Sequence, residues 1–151
     1  MNKIGNPTQI MIFNYSKVRF SSVEIRGFGF SGSGGVASFT DSSLLMRKMI
    51  ILMNKSWQNG GVFILNYSKN TLPNNAIIDI KASWILKNEA LGNGGFIYVV
   101  SENDNTSYHD IVIERSRIQK NVAFRGGVIY SHNPKALKIN QSRLFLNKVK
   151  F

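Results

Sequence analysis

The sequence contains no cysteine, which excludes a disulfide framework and a metal site built on cysteine. It also lacks any apolar run near the ~18 residues that a membrane-spanning helix needs. Its longest apolar runs, residues 10–13 and 49–53, have only the length of a strand. The N-terminal segment contains no hydrophobic region long enough for a secretory signal. The sequence therefore predicts neither a membrane-spanning segment nor a signal peptide in this chain.

Acidic residues are scarce. Eight Asp and Glu stand against 19 Lys and Arg, and the formal net charge is +11. An excess of this size favours association with anionic partners, so nucleic acid, acidic glycans and anionic lipid surfaces are the classes left open. The hydrophobic fraction of 43% is that of a folded protein, and 151 residues are enough for one domain with a core.

The chain does contain a glycine pair that recurs and is followed each time by a short apolar run. The pairs are 26, 34 and 32 residues apart. A period in this range is typical of a solenoid, in which each repeat forms one layer of a stack. The paired positions are Gly34 and Gly35, Gly60 and Gly61, Gly94 and Gly95, and Gly126 and Gly127.

Alignment on the glycine pairs brings the preceding residues into register. The pattern is aliphatic-x-aliphatic-x-x-Ser-x-aliphatic-x-x-Asn, clearest in residues 78–90 and 111–123 and repeated without a glycine pair in residues 137–149. The asparagine column comprises Asn54, Asn88, Asn121 and Asn147, and a smaller hydroxyl column comprises Ser83, Ser116 and Ser142. Asn tolerates left-handed backbone and stacked Asn side chains can hydrogen-bond between layers. The glycine pair indicates a turn with positive φ or a close backbone approach.

Alternation of apolar and polar residues with period two indicates strands rather than helices. The predicted fold is all-β: a right-handed, single-stranded parallel β-helix of about five coils, with about 26 residues and three short strands in each coil. The alternative is a β-sandwich with coincidental Gly-Gly turns. Residues 1–151 are expected to be one segment of a longer solenoid, because the pattern continues to both ends of the sequence.

The combination of aliphatic-x-x-Asn with Gly-Gly-aliphatic resembles the repeat of the polymorphic outer-membrane protein (Pmp) family. That family pairs Phe-x-x-Asn with Gly-Gly-Ala-aliphatic, whereas this chain has Ile or Leu for Phe, and Val or Phe for Ala. The resemblance implies a pectin-lyase-like right-handed β-helix and a surface or adhesive role, and it transfers no catalytic residue. Large membrane-anchored surface proteins of single-celled eukaryotes carry similar repeats, so the resemblance also implies a membrane-anchored parent protein. The matching segments are residues 51–54, 60–63, 85–88, 94–97, 118–121, 126–129 and 144–147.

An enzyme of the same fold, a polysaccharide lyase or glycoside hydrolase, is the main alternative. It needs carboxylates on neighbouring coils, but the alignment places Asp79 over Val112 and Lys138. No core column stacks two acidic residues. The one cluster is in a loop and contains Glu102, Asp104 and Asp110.

The two histidines, His109 and His132, are interpreted as exposed loop residues rather than as metal ligands or catalysts. We therefore expect no catalytic residue, no metal and no cofactor.

Two insertions relative to the 26-residue period, near residues 66–76 and 101–110, are expected to project side by side as a binding face. Their candidate binding residues are Tyr67, Lys69 and Tyr108. The alternative is that these loops vary in length without any role in binding.

A second candidate is an outward column formed by Trp84, Arg117 and Arg143, with Lys87 and Lys120 beside it. An exposed Trp below an Arg suits a cation–π contact, and the column suits a sugar ring or a phosphate. The alternative is that the cations only solvate this face while Trp84 packs locally.

The function predicted from these observations is a non-catalytic repeat segment of a larger cell-surface or extracellular protein. It would serve adhesion, through glycans or other surface proteins as partners. A lyase or hydrolase is the first alternative. Electrostatic binding of nucleic acid is the second and is less favoured, because basic excess is its only support.

Overall fold

The computed structural model describes residues 11–68, 76–102, 109–132 and 134–150. Within these ranges the chain contains strands and turns and no helix. Sheet A consists of β1 (Met11–Asn14), β5 (Ala37–Thr40), β9 (Phe63–Tyr67), β13 (Ile97–Ser101) and β17 (Ile129–Ser131). Sheet B consists of β2 (Lys17–Ser21), β6 (Ser43–Arg47), β10 (Ala76–Lys81), β14 (His109–Glu114) and β18 (Ala136–Asn140).

The other two sheets contain shorter strands. Sheet C consists of β3 (Glu24–Arg26), β7 (Ile50–Leu52), β11 (Trp84–Leu86), β15 (Arg117–Gln119) and β19 (Arg143–Phe145). Sheet D consists of β4 (Gly29–Phe30), β8 (Lys55–Ser56), β12 (Glu89–Ala90), β16 (Val122–Ala123) and β20 (Lys148–Val149).

Four parallel sheets of five strands each make this an all-β parallel solenoid, as the repeat predicts. The chain passes through sheets A, B, C and D in turn and then returns to sheet A one layer further on. The prediction of three strands per layer was wrong. The strands of sheet D contain only two residues each, too few for period-two alternation to be visible in the sequence.

The register stacks the aliphatic positions of the repeat in columns, in agreement with the sequence alignment. In sheet B the pairs run from Phe20 through Met46, Ile80 and Ile113 to Ile139. In sheet C they run from Ile25 through Ile51, Ile85 and Ile118 to Leu144. Neighbouring phenylalanines also contact one another in the core, with ring centroids of Phe39 and Phe63 5.6 Å apart. The core is therefore a set of like-on-like stacks that run through the layers.

The asparagine column forms a hydrogen-bonded ladder. The Nδ2 group of Asn54 donates to Oδ1 of Asn88 at 2.9 Å, and the Asn88 amide donates in the same way to Asn121 at 3.0 Å. The serine column forms a second ladder, in which the backbone N–H of Ser83 donates to Oγ of Ser116 at 3.1 Å. Interlayer bonding by the Asn column is therefore confirmed.

The expectation that these Asn residues adopt left-handed backbone was wrong. The left-handed residue is the one before each Asn. Because that residue turns the corner, the Asn side chain points inward and reaches the next layer. The four left-handed residues are Met53, Lys87, Lys120 and Leu146, with φ between 54° and 56°.

The two glycines of each pair have different tasks. The first has positive φ, as at Gly94 with φ of 69°, which glycine adopts without steric cost. The second has no room for a side chain, because a Cβ atom on Gly95 would overlap the carbonyl oxygen of Gly127 in the next layer. Both interpretations of the pair, a left-handed turn and a close approach, are thus correct, one for each glycine.

Candidate functional site

The first residues of the sheet C strands form an outward column that crosses five layers and begins at Glu24, the register partner of Ile50. Ile50, Trp84, Arg117 and Arg143 are register partners on neighbouring strands. The stacking of Trp84, Arg117 and Arg143 that the repeat predicts is therefore confirmed. Layers of such a sheet lie about 4.8 Å apart, so the side chains of this column are evenly spaced along the solenoid.

The outward direction of these side chains follows from the local sequence. Each strand of sheet C has three residues, and in β11 and β15 the middle residue, Ile85 or Ile118, is fully buried. Alternation along a strand then turns the preceding residue toward solvent. Trp84 is accordingly 54% exposed, and it lines a shallow depression together with Lys48 and Ala82.

Arg117 makes contacts that differ from the expected one. Its guanidinium lies over the ring of Phe145, 5.2 Å from the ring centroid, and donates to Oε1 of Gln119 at 3.2 Å. The predicted Trp84–Arg117 cation–π contact is not the one formed. The Phe145 ring lies in the next layer and covers one face of the Arg117 guanidinium. The Trp84 ring remains exposed to solvent.

Lys87 and Lys120 occupy the left-handed corner that follows sheet C. Together with Trp84, Arg117 and Arg143 they form what we call the basic face. In the part of the chain that the structure describes, none of its four cations forms an ion pair with a carboxylate. The basic face thus combines unneutralised charge with an exposed indole.

Several cations on the neighbouring sheets are paired with carboxylates. On the outer face of sheet B, Arg47 lies 2.6 Å from Asp79, and Lys81 lies 3.0 Å from Glu114. The Lys81 contact lowers the pKa of the Glu114 carboxyl, through a hydrogen bond first and charge second.

On sheet D, Glu89 pairs with Lys55 and Lys150. The hydrogen bond from Lys150 is the main cause of the lowered pKa of the Glu89 carboxyl.

Ion pairs therefore neutralise part of the charge on sheets B and D, although Arg19 and Lys138 of sheet B and Lys148 of sheet D form none among the described residues. The basic face differs in that all four of its cations lack a carboxylate partner within the same ranges and that it includes the exposed indole of Trp84.

Tyr67 does not project from an insertion, as the sequence suggested. It is the last residue of β9, its ring is buried, and its hydroxyl donates to the carbonyl oxygen of Ser42 at 2.9 Å. Burial raises the pKa of the Tyr67 hydroxyl, and the nearby Asp41 raises it further. The alternation of buried and partly exposed residues in β9 continues to Tyr67. This is one residue beyond position 66, where the insertion was expected to begin. Lys69 and Tyr108, the other two candidates, lie outside the described residues.

The interpretation of His109 as an exposed loop residue was also wrong. His109 is the first residue of β14, is fully buried, and stacks on Tyr67 with ring centroids 5.2 Å apart. Its Nε2 atom lies 2.7 Å from Oγ of Ser131, while Nδ1 has no hydrogen-bond partner among the described residues. Burial lowers the pKa of His109 to about 4, against a smaller opposing effect of Asp110. Among the described residues, the Ser131–His109 pair therefore lacks the third group that orients the base in a nucleophile–base arrangement.

His132 lies on the outer face of sheet A in a small aromatic cluster. Its ring approaches those of Tyr98 and Tyr130, with centroids 6.4 Å and 5.4 Å away. Tyr98 and Tyr130 are register partners on adjacent strands. The sequence pattern did not single out this cluster, although the equal offset of both tyrosines from their glycine pairs was a signal that could have revealed it.

A second exposed apolar column was also missed. Trp57, Leu91 and Phe124 each lie three residues after a ladder asparagine and are largely exposed. Lys55 lies over the Trp57 ring at 5.3 Å from the centroid. The constant offset from the Asn column is the signal that identifies this group.

The carboxylate alignment is confirmed, since Asp79 pairs in register with Val112 and Val112 with Lys138. Across the described ranges, no three His, Cys, Asp or Glu side chains converge in a way that could hold a metal ion. Asp104, part of the acidic loop cluster in the sequence, lies outside those ranges.

Among the residues that the structure describes, no helix has the length and apolar character required to cross a membrane. Comparison of the chain with models of protein families, with curated proteins and with solved structures finds no match.

Proposed function

We propose that this chain is a non-catalytic β-solenoid segment of a larger surface or extracellular protein and that it binds acidic glycans along the basic face. In this proposal the solenoid is right-handed and has about five coils of about 26 residues. The observation that carries the binding proposal is that, among the described residues, four cations on the face that holds the exposed Trp84 have no carboxylate partner. The resemblance to surface-protein repeats supports the location.

The spacing of the column suits a linear polyanion. Arg117 and Arg143 are register partners, so their side chains follow each other at the layer spacing of about 4.8 Å. A chain of acidic sugars that lies along the solenoid axis would meet Arg117 and Arg143 in consecutive layers. Guanidinium groups bind carboxylate and sulfate through paired hydrogen bonds, and the open face of Trp84 offers an apolar surface for a sugar ring.

The test is binding of a heparin decasaccharide, measured by calorimetry at two salt concentrations. We expect affinity to fall with salt, because exposed charges are screened, and to fall about tenfold in the double variant Arg117→Gln, Arg143→Gln. We expect Trp84→Ala to weaken binding at both salt concentrations.

The matched control is Arg19→Gln, Lys138→Gln. It removes the same charge from exposed positions on sheet B that form no ion pair in the described part of the chain. An equal loss in this control would show that binding depends on net charge and not on the basic face. Tighter binding of single-stranded DNA than of the decasaccharide would favour the nucleic-acid alternative. Release of unsaturated or reducing ends from the glycan would favour the enzyme alternative.

A further inference from the structure

The region around sheet D reverses the usual distribution of large and small side chains. Its inward positions in the three middle layers hold small buried residues: Ser56, Ala90 and Ala123. The residues that follow them carry the large side chains: Trp57, Leu91 and Phe124, which are 51%, 44% and 50% exposed. Large apolar groups thus stand where they contribute little to the core. We call these last three residues the apolar ridge.

The apolar ridge is continuous through three consecutive layers. The backbone N–H of Leu91 donates to the carbonyl of Ser56, the neighbour of Trp57, at 3.1 Å. The N–H of Phe124 donates to the carbonyl of Gly92, the neighbour of Leu91, at 2.7 Å. A contiguous exposed apolar surface marks an interaction site more often than scattered apolar residues do. On the outer face of sheet B, by contrast, one column of the same three layers carries the charged residues Arg47, Lys81 and Glu114.

Cations lie beside the two aromatic rings of the ridge. Nζ of Lys55 lies 5.3 Å from the centroid of the Trp57 ring, and the guanidinium carbon of Arg125 lies 5.8 Å from that of Phe124. The outward column of sheet D next to the ridge contains one carboxylate, Glu89. That carboxylate is already paired with two lysines. The ridge is therefore an apolar strip in positively charged surroundings.

This combination suits the interface of an anionic bilayer. Trp and other aromatic rings favour the headgroup level of a bilayer, where the ring body is apolar and the surroundings are wet. Lys and Arg beside exposed apolar groups add attraction to anionic lipids. A polypeptide partner would have to place acidic groups in register with Lys55 and Arg125. A bilayer offers apolar depth and negative charge over its whole surface and needs no such register.

We propose that the apolar ridge is a docking surface for an anionic phospholipid bilayer. The side chains of Trp57, Leu91 and Phe124 would enter the headgroup region. Arg125 and Lys148, which form no ion pair in the described part of the chain, would bind the anionic headgroups. The contact is peripheral and reversible, because only three side chains enter the lipid. This inference is independent of the proposed glycan binding, which uses the basic face.

The test is co-sedimentation of the full chain with vesicles of phosphatidylserine and phosphatidylcholine in a molar ratio of about 1:2, and with phosphatidylcholine alone. We expect binding to the anionic vesicles only. The double variant Trp57→Ser, Phe124→Ser should bind about tenfold or more weakly, because both rings are lost. The matched control Ile12→Ser, Tyr15→Ser removes two apolar side chains that are 66% and 67% exposed, and it should bind like the unmodified protein. Thermal melts verify that both variants fold.

Tryptophan fluorescence locates the contact, since the chain contains two tryptophans. The variant Trp84→Phe leaves Trp57 as the single fluorophore. Its emission should shift to shorter wavelength when anionic vesicles are added, because the ring leaves water. The variant Trp57→Phe leaves Trp84, whose emission should not shift.

Three results would each overturn the proposal: no binding to anionic vesicles, equal binding by the ridge variant and its control, or a shift of the Trp84 emission alone. Loss of vesicle binding in Arg117→Gln, Arg143→Gln with unchanged binding by the ridge variant would assign the lipid contact to the basic face instead. Self-association of the protein alone, measured by sedimentation equilibrium and abolished in the ridge variant, would identify a second copy as the occupant.

Discussion

At the scale of single residues, Asn88 shows why the ladder positions need asparagine. Its Oδ1 accepts from the backbone N–H and the Nδ2 of Asn54 at 3.1 Å and 2.9 Å, while its own Nδ2 donates to Asn121 and to the carbonyl of Ile51. Aspartate has no donor for the last two contacts, and serine is too short to span them. One side chain therefore satisfies main-chain groups in a corner that water does not reach.

Replacement of Asn88 by Ala should destabilise the protein by about 3 kcal/mol, because it leaves buried donors of Asn54 and the buried carbonyl of Ile51 without partners. Urea-induced unfolding measures the loss. Asn140→Ala is the matched control, since Asn140 is exposed on β18, and its effect should stay within about 0.5 kcal/mol. Equal effects of the two substitutions would contradict a structural role for the ladder.

The buried His109 should make stability depend on pH. Its pKa is lowered to about 4 in the folded state, while the unfolded value is about 6.5. The unfolded chain therefore takes up the proton first, so the stability due to neutral His109 is complete above pH 6.5 and is lost as the pH falls toward 4. The loss amounts to about 3 kcal/mol.

The variant His109→Phe, which keeps a ring against Tyr67, should flatten the stability profile between pH 6.5 and 4. Urea unfolding at several pH values measures the profile. His132→Phe, on the outer face of sheet A, is the control and should retain the dependence. Glu89 and Glu114, whose pKa values are lowered, affect both variants equally. A profile for His109→Phe that matches the unmodified protein would contradict the argument.

At the scale of elements, what could be predicted from the sequence depended on strand length. The three-residue strands of sheet C and the longer strands of sheet B show alternation, so the outward position of Trp84 and Arg117 followed from the pattern. The two-residue strands of sheet D show none, and the fourth strand of each layer was missed. The burial of Tyr67 and His109 was missed because both residues border insertions, where the repeat no longer indicates which way a side chain points.

The aliphatic column of sheet C gives a prediction at this scale. Ile118 is fully buried between Ile85 and Leu144, whereas Leu144 is 39% exposed at the open end. Ile118→Ala should therefore cost about 3 kcal/mol, through lost burial and a cavity. Leu144→Ala should cost about 1 kcal/mol, because half-exposed residues lose less and leave no closed cavity. Urea unfolding compares the two, and equal losses would argue that the end of the column is covered in solution.

At the scale of the whole molecule, the four sheets run through all the described layers. Each layer, however, forms strand pairs only with the layers directly above and below it. Each strand pairs with its neighbours at the same position in adjacent layers. Stability in such a stack is close to a sum of layer terms and nearest-neighbour interfaces. A layer in the middle has two such interfaces, and the layer formed by β18, β19 and β20 has one among the described residues. The ends should therefore open more readily than the centre.

Native-state hydrogen exchange tests this gradient with equivalent amides. The N–H groups of Arg117 and Val122 donate to the preceding layer at 2.8 Å and 2.9 Å, and those of Arg143 and Lys148 do so at 2.9 Å. Local hydrogen bonding alone predicts similar protection for all four. If opening begins at the free end, the amides of Arg143 and Lys148 should exchange about a hundredfold faster, as expected for the loss of roughly 3 kcal/mol of interface. Equal rates would mean that the layers open together.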